Sequence, residues 1–101
     1  MTASVRKAGE RLELAGRVTA DNVAELRRQG ESWLAERASG AAVTIDLSSV
    51  STASSLLLSL LLCWRRAASR QSMTLTFEGA PEQLLELSRL NGVSRWLTGS
   101  P

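Results

Sequence analysis

The sequence predicts an α/β domain: a four-stranded mixed sheet with helices on one face, in the order β-β-α-β-α-β-α. Three observations point to it. Period-two alternation, the pattern of a half-buried strand, recurs at Arg11–Ala15, Val43–Leu47 and Met73–Phe77. Between and after these segments, apolar residues repeat at three- and four-residue spacing, as in amphipathic helices. Strands covered on both faces read as continuous apolar runs, whereas these alternate, so the helices cover one face and the other stays polar.

The elements follow in order. A weak strand at Ser4–Lys7 opens the chain, with Gly9 in the turn before Arg11–Ala15, and Gly16 ends the second strand. Thr19 or Asp21 can cap the first helix, because either side-chain oxygen can accept from a free first-turn N–H. Val23, Leu26, Gly30, Trp33 and Leu34 form its apolar side, and Ser39-Gly40 closes it. Val43, Ile45 and Leu47 mark a third strand about five residues long, followed by a helix from about Ser54 to Arg70. Met73, Leu75 and Phe77 mark the fourth strand. Pro81 suits the first turn of the last helix, with Glu82 near its positive end. Leu84, Leu85, Leu87 and Leu90 are its apolar side, Asn91-Gly92 its stop, and Val93, Trp96 and Leu97 pack a last short turn. Strand–helix–strand order implies right-handed parallel crossovers, with the first hairpin as an antiparallel edge. The open face should carry Arg11, Glu13, Thr44, Asp46, Thr74 and Thr76.

Length and composition narrow the function classes. At 101 residues the chain reads as one domain, residues 1–101. Net charge is +2, and the arginines form only two adjacent pairs, Arg27-Arg28 and Arg65-Arg66, which describes a diffuse positive surface rather than a nucleic-acid stripe. A single cysteine, Cys63, allows no internal disulfide and fits a reducing compartment. It borders the apolar stripe as a small hydrophobe. The N-terminus has no apolar stretch of signal-peptide type. The longest apolar run, Leu56–Trp64, is about half of what a bilayer span needs, so a soluble, cytoplasmic protein is expected without membrane insertion. There is no histidine, the one lysine (Lys7) lies in no motif, and neither a P-loop nor a GxGxxG fingerprint occurs. No catalytic residue, cofactor or metal site is expected. Trp33, Trp64 and Trp96 fall at apolar helix positions and read as core.

The informative stretch is TIDLSSVSTASSLLLSLLLCWRRAA, Thr44–Ala68, where six hydroxyls crowd Ser48–Ser55 ahead of a leucine-rich helix. Asp46 can hold this loop by accepting from backbone N–H groups. Ser54 or Ser55 can cap the helix, and the same helix end favours an anion, including a phosphate on Ser55. On a helical wheel Leu57, Leu60, Leu61, Trp64, Ala67 and Ala68 gather on one side. The opposite side carries Ser55, Ser59, Leu62 and Arg66, flanked by Leu58 and Cys63. A solitary surface helix would show charges there. Hydroxyls framing Leu58 and Leu62 read instead as a docking surface, the alternative being burial under the C-terminal segment.

A strand ending IDLS, a short loop closing on a hydroxyl, a leucine-rich helix and then MTLTFEG resemble the layout of STAS domains, the sulfate-transporter and anti-sigma-factor-antagonist modules. The resemblance runs nearly the whole chain, through LLELSRLNGVSRWL, and is most specific over Ile45–Leu62. Within the family the chain is most similar to the cytoplasmic STAS subunit of the ABC transporter that moves phospholipids to maintain outer-membrane lipid asymmetry. That likeness implies a non-catalytic subunit that binds and regulates the transporter's ATPase subunit, which works with a membrane permease. Carried over by position, the contacts are Ser55 at the centre with Ser54, Leu58, Ser59, Leu62 and Arg66 around it. In the family's anti-sigma antagonists the loop ends in Asp, then a phosphorylated Ser or Thr, then Gly. Here Ser54, Ser55 and Leu56 stand at those places, so only the hydroxyl is kept. The alternative implied is an anti-sigma-factor antagonist phosphorylated on Ser55, with a serine kinase and an anti-sigma factor as partners.

Overall fold

The computed structural model describes residues 3–51 and 53–92. Strands β1 (Ser4–Ala8) and β2 (Arg11–Gly16) form the expected antiparallel hairpin, which turns through Gly9 at φ +62°. Helix α1 (Val23–Ala35) leads to β3 (Ala42–Val50), α2 (Ser55–Arg70) to β4 (Thr74–Glu78), and α3 (Glu82–Leu90) follows. The sheet order is β1-β2-β3-β4, with β2–β3 and β3–β4 parallel. Both crossovers step the same way across the sheet, so connections of one hand lay α1 and α2 on the same face. The alternation confirms it. Leu12, Leu14, Val43, Ile45, Leu47, Leu75 and Phe77 are buried toward the helices. Arg11, Glu13, Thr44, Asp46, Thr74 and Thr76 lie half-buried or exposed on the other side.

Several local features differ from expectation. Strand β3 runs nine residues, through Ser48, Ser49 and Val50, because Ser49 and Val50 pair with Ala15 and Gly16. Pairing with a formed neighbour extends a strand where side-chain type alone would end it. The register shifts by one residue between the Glu13–Asp46 and Ala15–Ser49 pairs, a bulge that re-aims the end of the strand. Neither Thr19 nor Asp21 caps α1. Asn22 is the N-cap and makes no side-chain bond into the helix. Asn22 Oδ1 accepts from Thr19 N–H at 2.8 Å, and the Thr19 carbonyl accepts from Val23 N–H at 3.0 Å, so the pair builds the turn instead. Helix α1 stops at Ala35 with Glu36 as C-cap. Ser39 lies beyond it and donates to the Gln71 carbonyl at 3.0 Å, tying the loop to the end of α2.

In α3, Leu84 is buried and Leu85 and Leu87 are half-buried, but Leu90 is 85% exposed. The fully buried fourth position is Ser88, whose hydroxyl donates to the Leu85 carbonyl at 2.7 Å. Leu90 stands two residues on from Ser88, roughly 200° round the helix, and so faces away from the core. Val93, Trp96 and Leu97 lie outside the described residues.

Trp33 and Trp64 are core residues, as their spacing implies. Trp64 lies directly on the backbone of α1 at Gly30, where a Cβ would come within 2.1 Å of the indole. The indole N–H donates to the Arg27 carbonyl at 3.3 Å. Gly30 thus locks α1 to α2 by having no side chain. At the other end of α1, the Arg37 guanidinium stacks over Trp33, 5.0 Å from the ring centroid, and donates to the Gly9 carbonyl at 2.8 Å. That contact clamps the first hairpin to the helix layer.

Candidate functional site

The stretch from the end of β3 to the first turns of α2 is held at several points. Asp46 Oδ1 accepts from the Ser48 N–H at 2.9 Å and from the Ser48 hydroxyl at 2.6 Å. Its other oxygen accepts from Arg11 at 3.2 Å, and Arg11 also donates to Glu78 at 2.8 Å, tying β2, β3 and β4 together across the open face. The Ser48 donations, chiefly, and Arg11 hold the Asp46 carboxyl below its ordinary range. Ser48 also packs against Gly79, which has φ +71°. A Cβ there would sit 2.8 Å from Ser48 Cβ, so the turn after β4 admits only glycine without rearrangement. Ser51 N–H donates to the Gly16 carbonyl at 2.7 Å, pinning the chain beyond β3 to the end of β2. Part of the crowd of hydroxyls is therefore structural.

The residues expected at the head of α2 divide into distinct roles. Ser54 is the N-cap, in extended backbone, and its Oγ accepts from Leu57 N–H at 3.2 Å. Ser55 is the first helical residue. It is exposed, and its hydroxyl makes no hydrogen bond to any described residue. Ser59 and Arg66 are exposed on the same line, and Leu62 is half-buried. These four share one ridge.

Leu58 does not. It is 5% exposed and belongs to the core. The expected core stripe leaves Leu58 out and assigns it to the docking side, whereas the buried arc extends roughly 60° further round the helix to take it in. The cause is that α2 has neighbours on two sides as well as the sheet beneath. It packs on α1, on β4 and on α3. Trp64 and Cys63 mark the α1 side, Arg65 and Ala68 the β4 side, and Leu58 falls toward the latter. Leu56 replaces it on the surface at 38% exposure, beside Ser55 and Ser59. The wheel gives no signal for it, because Leu56 stands only about 20° beyond the core stripe, nearer than Leu58.

The ridge ends in charge of one sign. Helix α2 has no acidic residue, and its second half carries Arg65, Arg66 and Arg70. Cys63 is half-buried between α2 and α1, in a shallow recess of about 200 Å³ shared with Arg27, Glu31, Arg66 and Arg70. Among the described residues no cluster of three or more Cys, Asp or Glu side chains is placed to hold a metal ion. Among the same residues no helix is long and apolar enough to cross a membrane.

A 1-2-3-4 mixed sheet with an antiparallel first hairpin, one covered face and a hydroxyl heading the second helix defines a STAS-type domain. The sequence matches the family described as "Mlab, STAS domain" over residues 2–99, and the chain belongs to the STAS domain family. No curated protein sequence matches it significantly. Among solved structures, it superposes on a chain of the Acinetobacter MlaFEDB complex in the ATP-bound Vtrans2 conformation with a TM-score of 0.79. The two are 20% identical, and the match covers 96% of this chain and 97% of that one. The unphosphorylated anti-sigma factor antagonist SpoIIAA gives a TM-score of 0.74 at 11% identity, covering 96% of this chain and 86% of that one. An anti-sigma factor antagonist from Mycobacterium paratuberculosis gives 0.67 at 17% identity, covering 95% and 81%. At such identities the likeness speaks to the fold alone.

Proposed function

We propose that this chain is a non-catalytic docking subunit that binds and regulates the ATPase of a phospholipid-transporting ABC transporter. The ATPase would be MlaF-like and coupled to a membrane permease, and the transporter one that maintains outer-membrane lipid asymmetry. The observation that carries this reading is the exposed ridge of α2, with Ser55, bonded to no described residue, at its head, Ser59 and Leu62 along it, and exposed Leu56 on its flank. The outward side of a surface helix is ordinarily charged. Depletion of charge with partly exposed apolar groups is the composition of an interface centre. The family match and the likeness to a chain of the MlaFEDB complex support it. A subunit that binds only the assembled or ATP-competent form of its partner stabilises that form by mass action, so no chemistry is required of this chain. Its place is cytoplasmic, held at the inner membrane through the complex.

The test is co-purification with the transporter's ATPase. Ser55→Arg and Leu62→Glu, made separately, abolish it while far-UV circular dichroism stays unchanged. Binding retained by both variants removes the basis of the proposal. Leu58→Glu is not a usable variant, because that side chain is in the core.

A second reading rests on the same serine. Its hydroxyl is exposed and unbonded among the described residues at a helix N-terminus, and two of the similar structures are anti-sigma factor antagonists. As such an antagonist, the chain gains one phosphate, on Ser55, when incubated with ATP and a serine kinase encoded nearby. An unchanged intact mass with every neighbouring kinase rules that out.

A further inference from the structure

The lower half of the ridge carries information that the hydroxyls do not. Arg66 and Arg70, like Arg17 and Arg89, form no ion pair among the described residues, whereas Arg6, Arg11, Arg27, Arg28 and Arg37 each meet a carboxylate; Arg66 and Arg70 differ from the other two in lining one recess together. Both line the 200 Å³ recess over Cys63, together with Arg27 and Glu31 of α1. The same two arginines, with Arg65 and Ser69, line an adjoining depression of about 430 Å³. Among the described residues the only acid on either wall is Glu31, and Arg27 already engages it at 3.3 Å. Basic residues near a helix C-terminus favour its dipole, which accounts for Arg70 in the last turn. That effect fades within one turn, so it does not account for Arg66 or for the facing Arg27.

We infer that this two-helix recess is the specificity element of the docking surface and receives an acidic segment of the partner protein, its carboxylates reaching Arg66 and Arg70 while its apolar residues lie on Leu62 and Leu56. The inference rests on the docking reading above and adds the partner's chemistry to it. Two features favour a protein over a lipid surface. Arg66 and Arg70, both exposed, line a shallow concave recess between two helices, which a protruding chain segment enters more closely than a flat bilayer does. Arg66 also stands one turn beyond Leu62, on the helix line that continues to Ser59 and Ser55. Guanidinium groups bind carboxylates in a bidentate fork, so arginine at both positions gives direction as well as attraction. Such charges act mainly on association rate and on choice of partner.

The experiment uses the full chain and the purified ATPase of the transporter encoded with it, in biosensor kinetics at 50 mM and 500 mM NaCl. The doubly charge-reversed variant Arg66→Glu, Arg70→Glu alters only exposed side chains. The expected result is an association rate at least about 10-fold slower and an affinity about 100-fold weaker at low salt. Wild-type affinity falls about 10-fold between the two salt concentrations, as screening predicts, and the variant's does not. If the variant binds like wild type while Ser55→Arg and Leu62→Glu do not bind, docking stands and the acidic-segment inference is overturned. If all these variants bind, the docking reading itself has failed. Vesicles of 70% phosphatidylethanolamine and 30% phosphatidylglycerol supply the other control. Wild-type sedimentation with them, lost in the double variant, assigns the recess to lipid and overturns the inference.

Discussion

Substituting Gly30 by alanine separates two effects of opposite sign. In an exposed helix interior the change stabilises by about 1 kcal/mol, because glycine has more backbone freedom to lose. Here the new Cβ would lie 2.1 Å from two atoms of the Trp64 indole and 2.5 Å from a third. Ordinary contact begins near 3.4 Å, so the ring must retreat by more than an ångström. It is fully buried and has nowhere to go. Overpacking of this kind costs about 1–3 kcal/mol. The retreat also breaks the bond from the indole N–H to the Arg27 carbonyl, adding about 1–3 kcal/mol for a buried donor left alone. The sum is a net destabilisation of about 1–5 kcal/mol, or a melting temperature lower by roughly 5–25 °C in a domain of this size. Urea unfolding followed by circular dichroism measures it. Repeating the change in a Trp64→Phe background isolates the contact, since the smaller ring vacates the space. There Gly30→Ala should be nearly neutral, giving a coupling equal to its cost in the wild type, about 1–5 kcal/mol. A higher midpoint for Gly30→Ala alone, or a coupling under about 0.5 kcal/mol, would refute the lock between the helices.

Three further outcomes follow from the same coordinates. Leu58→Ala costs about 2–5 kcal/mol and Leu56→Ala less than about 0.5 kcal/mol, by urea unfolding; equal costs would deny that these neighbours differ in burial. Ser54→Ala lowers stability by about 1 kcal/mol through loss of the cap, whereas Ser55→Ala leaves it within about 0.5 kcal/mol, and the reverse order would move the helix start. Asp46 has a folded-state pKa below its ordinary value of about 3.9, so its contribution is complete above that value and is lost as pH falls through the lower folded value. The stability difference between wild type and Asp46→Asn is therefore constant from pH 7 to about 5 and shrinks below about pH 4. A difference that widens on acidification has the wrong sign.

Much of the fold was legible because each element repeats its own period. Leu12 and Leu14, Val43 to Leu47, and Leu75 with Phe77 alternate cleanly, and the one-faced sheet follows from that. Gly30 also stood on the apolar side of its helix by spacing alone. What stayed hidden depended on neighbours distant in sequence. The serines ending β3 look like loop, and only pairing with Ala15 and Gly16 makes them strand. Leu58 and Leu90 were misplaced for a shared reason. A wheel gives the direction of each side chain but not the number of neighbours around the helix. Helix α2 is enclosed on more of its circumference than one stripe implies, and α3 on less at its end. Ser55 was identified at the head of the helix by position. That Ser54 takes the cap and leaves Ser55 without a bond to any described residue is a matter of one residue in the helix start.

The Asp46–Ser48 clasp, the bond from Ser51 to the end of β2 and the Ser54 cap have a kinetic meaning. Freezing a floppy segment on contact slows recognition and costs conformational entropy. Here Ser48, Ser51 and Ser54, on the way to Ser55, are already held by hydrogen bonds in the isolated molecule, so a visitor finds these points in place. Capture should then proceed in a single exponential whose rate rises linearly with concentration, with no slower settling phase behind it.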